Sequence, residues 1–149
     1  MSGSHQYVRL AWALAALLVS GSATAGHASG HLTAPGIEVY YGIVPAALVR
    51  GHEQDHSGKP ADPSAWHLVV ALYDSATGQR ITEADVTARV RQPGGFEQSR
   101  TLEPMPVAGA ATFGQYFAMP GHGPYLVILR IRRSGADAPV EVRFEHRHP

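Results

Sequence analysis

Histidine and methionine are the residue types in this chain that most clearly suit a transition metal. Nine histidines occur in 149 residues, and eight of them lie after residue 25, His5 being the exception. Histidine is the commonest metal ligand in proteins, and its side chain titrates near neutral pH. The chain has no cysteine, so disulfides, thiolate nucleophiles and cysteine-based zinc or iron–sulfur sites are excluded. The chemistry open to the chain is that of imidazole, thioether and carboxylate groups.

The densest group of metal-competent side chains is His52, Glu53, Asp55 and His56, within the irregular stretch 46–65. Two histidines four residues apart would share one face of a helix and could chelate a divalent ion, although the glycines and prolines of the stretch disfavour a long helix. Connections of this length are uncommon in compact domains and are often functional or disordered. The stretch admits two interpretations, a metal site or a solvated polar loop.

His67 and Met105 are the two further candidate ligands. His67 opens a predicted strand directly after the polar stretch, where it can meet that stretch in space; the alternative is a strand-end histidine bonded to backbone or water. Met105 lies between two prolines. Soft sulfur suits Cu(I) and imidazole suits both copper states, whereas buried methionines most often fill gaps in a core. We predict a metal site of His52, His56, His67 and Met105, with copper as the expected metal and iron or zinc as weaker candidates.

The other histidines are predicted to be solvated. His146 and His148 share the inward parity of Phe144 at the end of the last strand. They therefore either leave the core for solvent or line a site, and solvent is the favoured interpretation. His122 lies in a turn, where histidines are usually solvated.

Signatures of catalysis and of nucleic-acid binding are absent. The chain has no Gly-x-Ser-x-Gly elbow, His-Glu-x-x-His motif, P-loop or dinucleotide fingerprint. Lys+Arg and Asp+Glu are equal at 12 each, which leaves no basic field for a nucleic acid. We therefore predict that the protein is not an enzyme and does not bind nucleic acid.

The N-terminus predicts a cleaved secretory signal peptide over residues 1–25. The apolar run LAWALAALLVS ends in Ser22-Ala23-Thr24-Ala25, which has the small residues of an Ala-x-Ala cleavage site. The run is shorter than the roughly 20 residues that a membrane span requires. We expect a periplasmic or secreted protein in which residues 26–35 form a flexible leader and residues 36–149 form one domain.

Alternating apolar residues and turn signals predict an all-β domain. Residues 66–90 indicate two strands joined by a turn at Asp74–Gly78, and about seven strands follow one another at a spacing of roughly 8–12 residues. This pattern is typical of an immunoglobulin-like β-sandwich. Tyr125 stands at the start of the penultimate strand, where a tyrosine corner would bond nearby backbone.

Short motifs after residue 102 resemble one known group of proteins. Leu102-Glu103-Pro104-Met105, then Phe113-Gly114, then the stretch 119–127 (MPGHGPYLV) are similar to the periplasmic iron-transport proteins with an immunoglobulin-like fold that bind copper. The resemblance implies that Met105 is a copper ligand. The histidine that the group has before its Tyr-Gly pair falls on Thr112, and its first-strand methionine has no counterpart in GIEVYYGIV, so the histidine ligands are expected from the 52–67 segment.

The sequence therefore predicts an exported β-sandwich that binds copper or iron as a carrier or as an accessory to metal transport. The expected partners are the metal ion and a membrane transporter or another periplasmic protein, and a homodimer is also open. The alternative is a metal-free immunoglobulin-like module that docks on a protein partner by its strand edges. A hydrolase or carbohydrate-binding domain is a weaker alternative that would need a deep pocket lined by Trp66 and acids.

Overall fold

The computed structural model describes residues 28–49, 62, 65–92 and 94–148. This part of the chain contains ten strands and one 3-10 turn at Ala46–Leu48. The strands are β1 (Ala28–Ala34), β2 (Ile37–Pro45), β3 (Ala65–Asp74), β4 (Arg80–Ile81), β5 (Ala84–Arg91), β6 (Glu97–Thr101), β7 (Glu103–Val107), β8 (Ala110–Ala118), β9 (Tyr125–Arg133) and β10 (Val140–His146). Within the described residues no helix has the length and apolar character to cross a bilayer.

The strands form two antiparallel sheets packed face to face. The first sheet has the order β1-β2-β3-β8-β7, with the short β4 paired to β3, and the second has the order β10-β9-β5-β6. Alternate residues of the central strands point into the space between the sheets; Leu68, Val70 and Leu72 of β3 and Val127 and Leu129 of β9 are all fully buried there. The predicted β-sandwich class is confirmed.

The two strands predicted for residues 66–90 are present, but their expected pairing as a hairpin is wrong. β3 turns at Asp74, whose Oδ1 accepts hydrogen bonds from the backbone N–H groups of Ala76 (3.0 Å) and Thr77 (2.9 Å). The chain then pairs with β3 only through the two residues of β4. It crosses to the other sheet, where β5 pairs with β6 and β9. Side-chain alternation shows that a strand has a buried face, but it does not show which sheet contains the strand.

Three further differences raise the strand count from about seven to ten. The strand predicted over residues 98–105 divides at the buried Leu102 into β6 and β7, which lie in different sheets. The two-residue β4 is too short for a periodic signal. Residues 28–34, predicted as part of a flexible leader, form β1 along the edge of β2, from Ala28 opposite Ile43 to Ala34 opposite Ile37. An edge strand can be held by its backbone hydrogen bonds, so small and polar residues suffice. The predicted signal peptide lies outside the described residues.

The tyrosine corner predicted at Tyr125 is confirmed. The Tyr125 side chain is 1% exposed at the start of β9. Its hydroxyl donates a hydrogen bond to the Pro120 carbonyl oxygen, five residues upstream. This bond ties the 120–124 turn to the second sheet.

Candidate metal centre

His67 lies on the outer face of the first sheet, opposite to the core. Because Leu68 and Val70 point inward, the intervening side chains of β3 point outward. His67 stands opposite Val44 of β2 and Tyr116 of β8. It is nevertheless only 2% exposed, and its ring stacks on that of Tyr116, with centroids 4.4 Å apart and planes 23° apart. The imidazole is therefore held in one orientation by packing.

Met105 reaches the same face from the edge strand β7. Its partner across the ladder is Thr112 of β8, and the Thr112 hydroxyl donates a hydrogen bond of 2.8 Å to the Met105 carbonyl oxygen. Met105 is buried between two exposed prolines, Pro104 and Pro106. A proline has no N–H to offer a further strand, so this edge is poorly suited to strand addition.

Gly114 leaves the space in which the two side chains meet. A Cβ built on Gly114 would come within 3.0 Å of both Met105 Sδ and His67 Nε2, at 2.9 Å from the nitrogen. Real Cβ atoms essentially never show such contacts. The thioether sulfur and the imidazole nitrogen therefore converge on one point above the Gly114 backbone.

The two donors lie in a groove with a volume of about 450 Å³. Gly42, Val44 and Val69 contribute its sheet surface. Leu48, the last residue of the 3-10 turn, and Val49 line one side. Residues 106–108 of the β7–β8 hairpin complete the groove. Leu48 is 60% exposed and Val107 43% exposed. Among the described lining residues there is no Asp, Glu, Lys or Arg. The groove thus combines two soft or borderline donors with an uncharged, mostly aliphatic wall.

The structure brings together two of the four predicted ligands, His67 and Met105. His52 and His56 lie outside the described residues. Within the described ranges there is no group of three or more His, Asp or Glu side chains that could hold a metal. His122 is exposed as predicted. Sequence reasoning missed Gly114 as part of the site; a glycine in the interior of a strand is the signal that could have identified it, since such glycines often mark a close approach.

Two further imidazoles, those of His146 and His148, lie together at one end of the sandwich. The prediction that His146 leaves the core for solvent is wrong, because His146 is 3% exposed. Its Nε2 lies 2.9 Å from His148 Nδ1, and His148 Nε2 lies 3.1 Å from the Met119 carbonyl oxygen. Trp66 stacks on His148 with centroids 3.7 Å apart. The inward parity shared with Phe144 was the correct signal.

The protonation of this cluster follows from its geometry. A carbonyl can only accept a hydrogen bond, so the proton of neutral His148 lies on Nε2. The Nδ1 atom of His148 then accepts from His146 Nε2–H. Burial, followed by the charge of His148, lowers the pKa of His146 from 6.5 to about 4, and burial also lowers the pKa of His148. Both rings are therefore neutral at neutral pH.

Comparison with known proteins finds similarity in structure only. No family model matches the chain, and no curated protein matches it in sequence. FetP of uropathogenic Escherichia coli superposes with a TM-score of 0.65 at 15% identity, over 82% of this chain and 95% of FetP. A copper-bound variant of FetP superposes with a TM-score of 0.64 at 16% identity, over 82% of this chain and 97% of the variant.

Two other proteins superpose over a similar extent. Copper-reconstituted P19 from Campylobacter jejuni gives a TM-score of 0.63 at 14% identity, over 83% of this chain and 99% of P19. A DUF4426 family protein from Pseudomonas aeruginosa gives 0.64 at 15% identity, over 81% and 95%. The resemblance predicted from motifs in the last third of the chain thus extends over most of the chain. The chain has the β-sandwich fold of FetP and P19.

Proposed function

We propose that this protein is an exported copper-binding protein that acts as a carrier or as an accessory to metal transport. The observation on which the proposal depends is the convergence of Met105 Sδ and His67 Nε2 above Gly114. Iron and zinc are weaker candidates, because a thioether is a poor ligand for harder ions. No catalytic role is proposed.

The residues present fit a copper ion. Thioether and imidazole together suit copper, with sulfur favouring Cu(I) and imidazole suiting both oxidation states. Gly114 supplies a cradle that any larger residue would fill. The Tyr116 ring stacked on His67 fixes the orientation of the imidazole, as supporting groups commonly do for metal ligands. Bound copper would supply a soft Lewis-acid centre, and the protein's part is to hold it and shield it from solvent.

His52 and His56 are proposed as the remaining ligands on the basis of chain connectivity. Val49, which precedes their segment, lines the groove. Ala65, which follows it, begins β3 two residues before His67. The segment that carries both histidines therefore leaves the described structure at the groove and rejoins it two residues from a proposed ligand.

The structural comparisons support the proposal in general terms. FetP and P19, which share this fold, have both been obtained with copper bound. FetP was expressed in the periplasm of Escherichia coli, and the predicted signal peptide of this chain implies export to the same kind of compartment. A membrane transporter or a periplasmic protein is the proposed partner, and a homodimer is the alternative assembly.

Copper titration of the chain without residues 1–25 tests the proposal. We expect stoichiometric binding that is weakened by His67→Ala and by Met105→Leu, and weakened further when His52→Ala and His56→Ala are added. Met119→Leu, which changes a buried thioether in the core, and His122→Ala, which removes an exposed imidazole, are the matched controls and should bind copper as the parent does. Unchanged binding in His67→Ala and Met105→Leu would refute the site. Absence of any metal binding would favour the metal-free interaction module.

A further inference from the structure

A cavity of about 510 Å³ lies on the outer face of the first sheet, at the end of β2 and β3 away from His67. Its volume is within the range that is usual for small-molecule sites. The lining contains the carboxylates of Glu38 and Asp74 and the phenol rings of Tyr40 and Tyr73, and none of its described residues is Lys, Arg or His. The cavity therefore combines acidic and aromatic surface.

Four outward-facing residues of β2 and β3 form the sheet side of this cavity. Glu38 stands opposite Tyr73 in the β2–β3 ladder, and Tyr40 stands opposite Ala71. The rings of Tyr40 and Tyr73 meet at 82°, with centroids 5.5 Å apart, and Tyr40 is 47% exposed. Because the Ala71 side chain is small, it leaves a hollow beside the two rings. A ligand group in that hollow would contact aromatic surface.

The Tyr73 ring already holds a cation on the side away from β2. The guanidinium carbon of Arg80 lies 4.7 Å from the ring centroid, and Arg80 Nη1 donates a hydrogen bond of 2.6 Å to the Ala111 carbonyl oxygen of β8. Arg80 belongs to β4, which pairs with the β8 edge of β3, whereas Glu38 and Tyr40 belong to β2 on the opposite edge. The face of a tyrosine ring attracts cations through its quadrupole. On the β2 side a ligand could supply the cation.

Glu38 is the carboxylate that is available to such a ligand. The charge of Asp74 is balanced by Arg133, whose Nη1 lies 2.9 Å from Asp74 Oδ2. Glu38 accepts hydrogen bonds from His31 Nε2 at 2.5 Å and from the Thr33 hydroxyl at 3.1 Å, and both reach the same oxygen, Oε2. The other oxygen, Oε1, is left for a positively charged group in the cavity.

We propose that this cavity binds a small organic cation through its ammonium group. Tyr40 and Tyr73 would supply the aromatic surface, and Glu38 would supply the negative charge. An anionic ligand would be repelled by the carboxylates, and a neutral ligand would gain nothing from them. The site is separate from the candidate metal centre, and its occupation does not depend on copper.

The experiment compares choline with its neutral isostere, in which carbon replaces the quaternary nitrogen. NMR titration of the protein measures both affinities, and the amide shifts of Ala71 and Gly78 report binding at the cavity. Tyr40→Leu removes an aromatic ring and keeps an apolar side chain, and Glu38→Gln removes the charge at almost unchanged size. Phe96→Leu is the matched control, because Phe96 is 52% exposed and does not line the cavity. Thermal unfolding confirms that each variant is folded.

Choline should bind about tenfold more tightly than its isostere, because the ring faces and the half-buried carboxylate attract only the charged ligand. Tyr40→Leu and Glu38→Gln should each weaken choline binding about three- to tenfold, and Phe96→Leu should leave it unchanged. Equal affinities for the two ligands would overturn the inference on the parent protein alone. So would the absence of choline binding, or choline affinities in Tyr40→Leu and Glu38→Gln equal to that of the parent.

Discussion

Substituting alanine for Gly114 perturbs the candidate centre without removing either donor. The added Cβ would meet Met105 Sδ and, at 2.9 Å, His67 Nε2. The metal-free protein can relieve the contact with Met105 Sδ by rotating that flexible side chain away, whereas the contact with His67 Nε2 is present with or without metal. The metal-bound form cannot move Met105 in this way, because both donor atoms must remain above residue 114.

The size of the effect follows from the cost of overpacking. Forcing an extra methyl group into a close-packed site costs about 1–3 kcal/mol. Because this cost falls mainly on the bound form and 1.4 kcal/mol is a factor of ten in affinity, the dissociation constant for Cu(I) should rise about 5- to 150-fold in Gly114→Ala. Chelator competition at fixed pH measures that change directly.

Gly30 provides the matched control for this substitution. A Cβ on Gly30 would lie 2.5 Å from the Tyr41 hydroxyl oxygen, so Gly30→Ala introduces a similar contact with the end of a side chain away from the groove. It should lower the midpoint of thermal unfolding while leaving copper affinity unchanged. Equal copper affinity in Gly114→Ala and the parent would refute the convergence of the two donors as the basis of binding.

Three further predictions concern stability. The pKa of His146 is about 4 in the folded protein, below its usual 6.5, so the unfolded chain binds the proton more readily. The free energy of unfolding should therefore fall by about 2–3 kcal/mol as the pH drops from about 6.5 to 4. Urea unfolding of His146→Gln should show a smaller loss over the same range, and an equal loss would contradict the assignment. Tyr125→Phe removes the hydrogen bond to Pro120 and should cost about 1–2 kcal/mol in chemical denaturation, with no change in copper affinity; an unchanged unfolding free energy would show that the corner bond adds nothing. Cu(I) at about 100 times its dissociation constant should stabilise the folded chain by about 2.7 kcal/mol, and a similar gain in Met105→Leu at the same copper concentration would argue against Met105 as a ligand.

The sequence was sufficient to predict most strands but not their partners. The alternation of residues 140–148 predicted β10, which ends at His146, and the run from Tyr125 predicted β9. Strand pairing is a long-range property, so the 66–90 segment could equally have been a hairpin or, as found, two strands of different sheets. β1 was not predicted because its residues have the composition of a loop and its pairing with β2 is made by backbone groups.

The residue types of the candidate centre could be predicted from the sequence, but the proximity of its side chains could not. Met105 and His67 could be selected from the chemistry of sulfur and imidazole. Their proximity depends on two ladders, β3 with β8 and β8 with β7, which place Gly114 between them. The inward parity of His146 is compatible both with burial and with a strand end that leaves the core for solvent. Alternation alone does not decide between these two outcomes.

X-ray absorption spectroscopy of the Cu(I)-loaded chain without residues 1–25 tests the central claim most directly. The account predicts a first coordination shell that contains one sulfur and at least one imidazole nitrogen, with the sulfur lost in Met105→Leu and retained in Met119→Leu. A shell of nitrogen and oxygen alone, or a sulfur that persists in Met105→Leu, would contradict it.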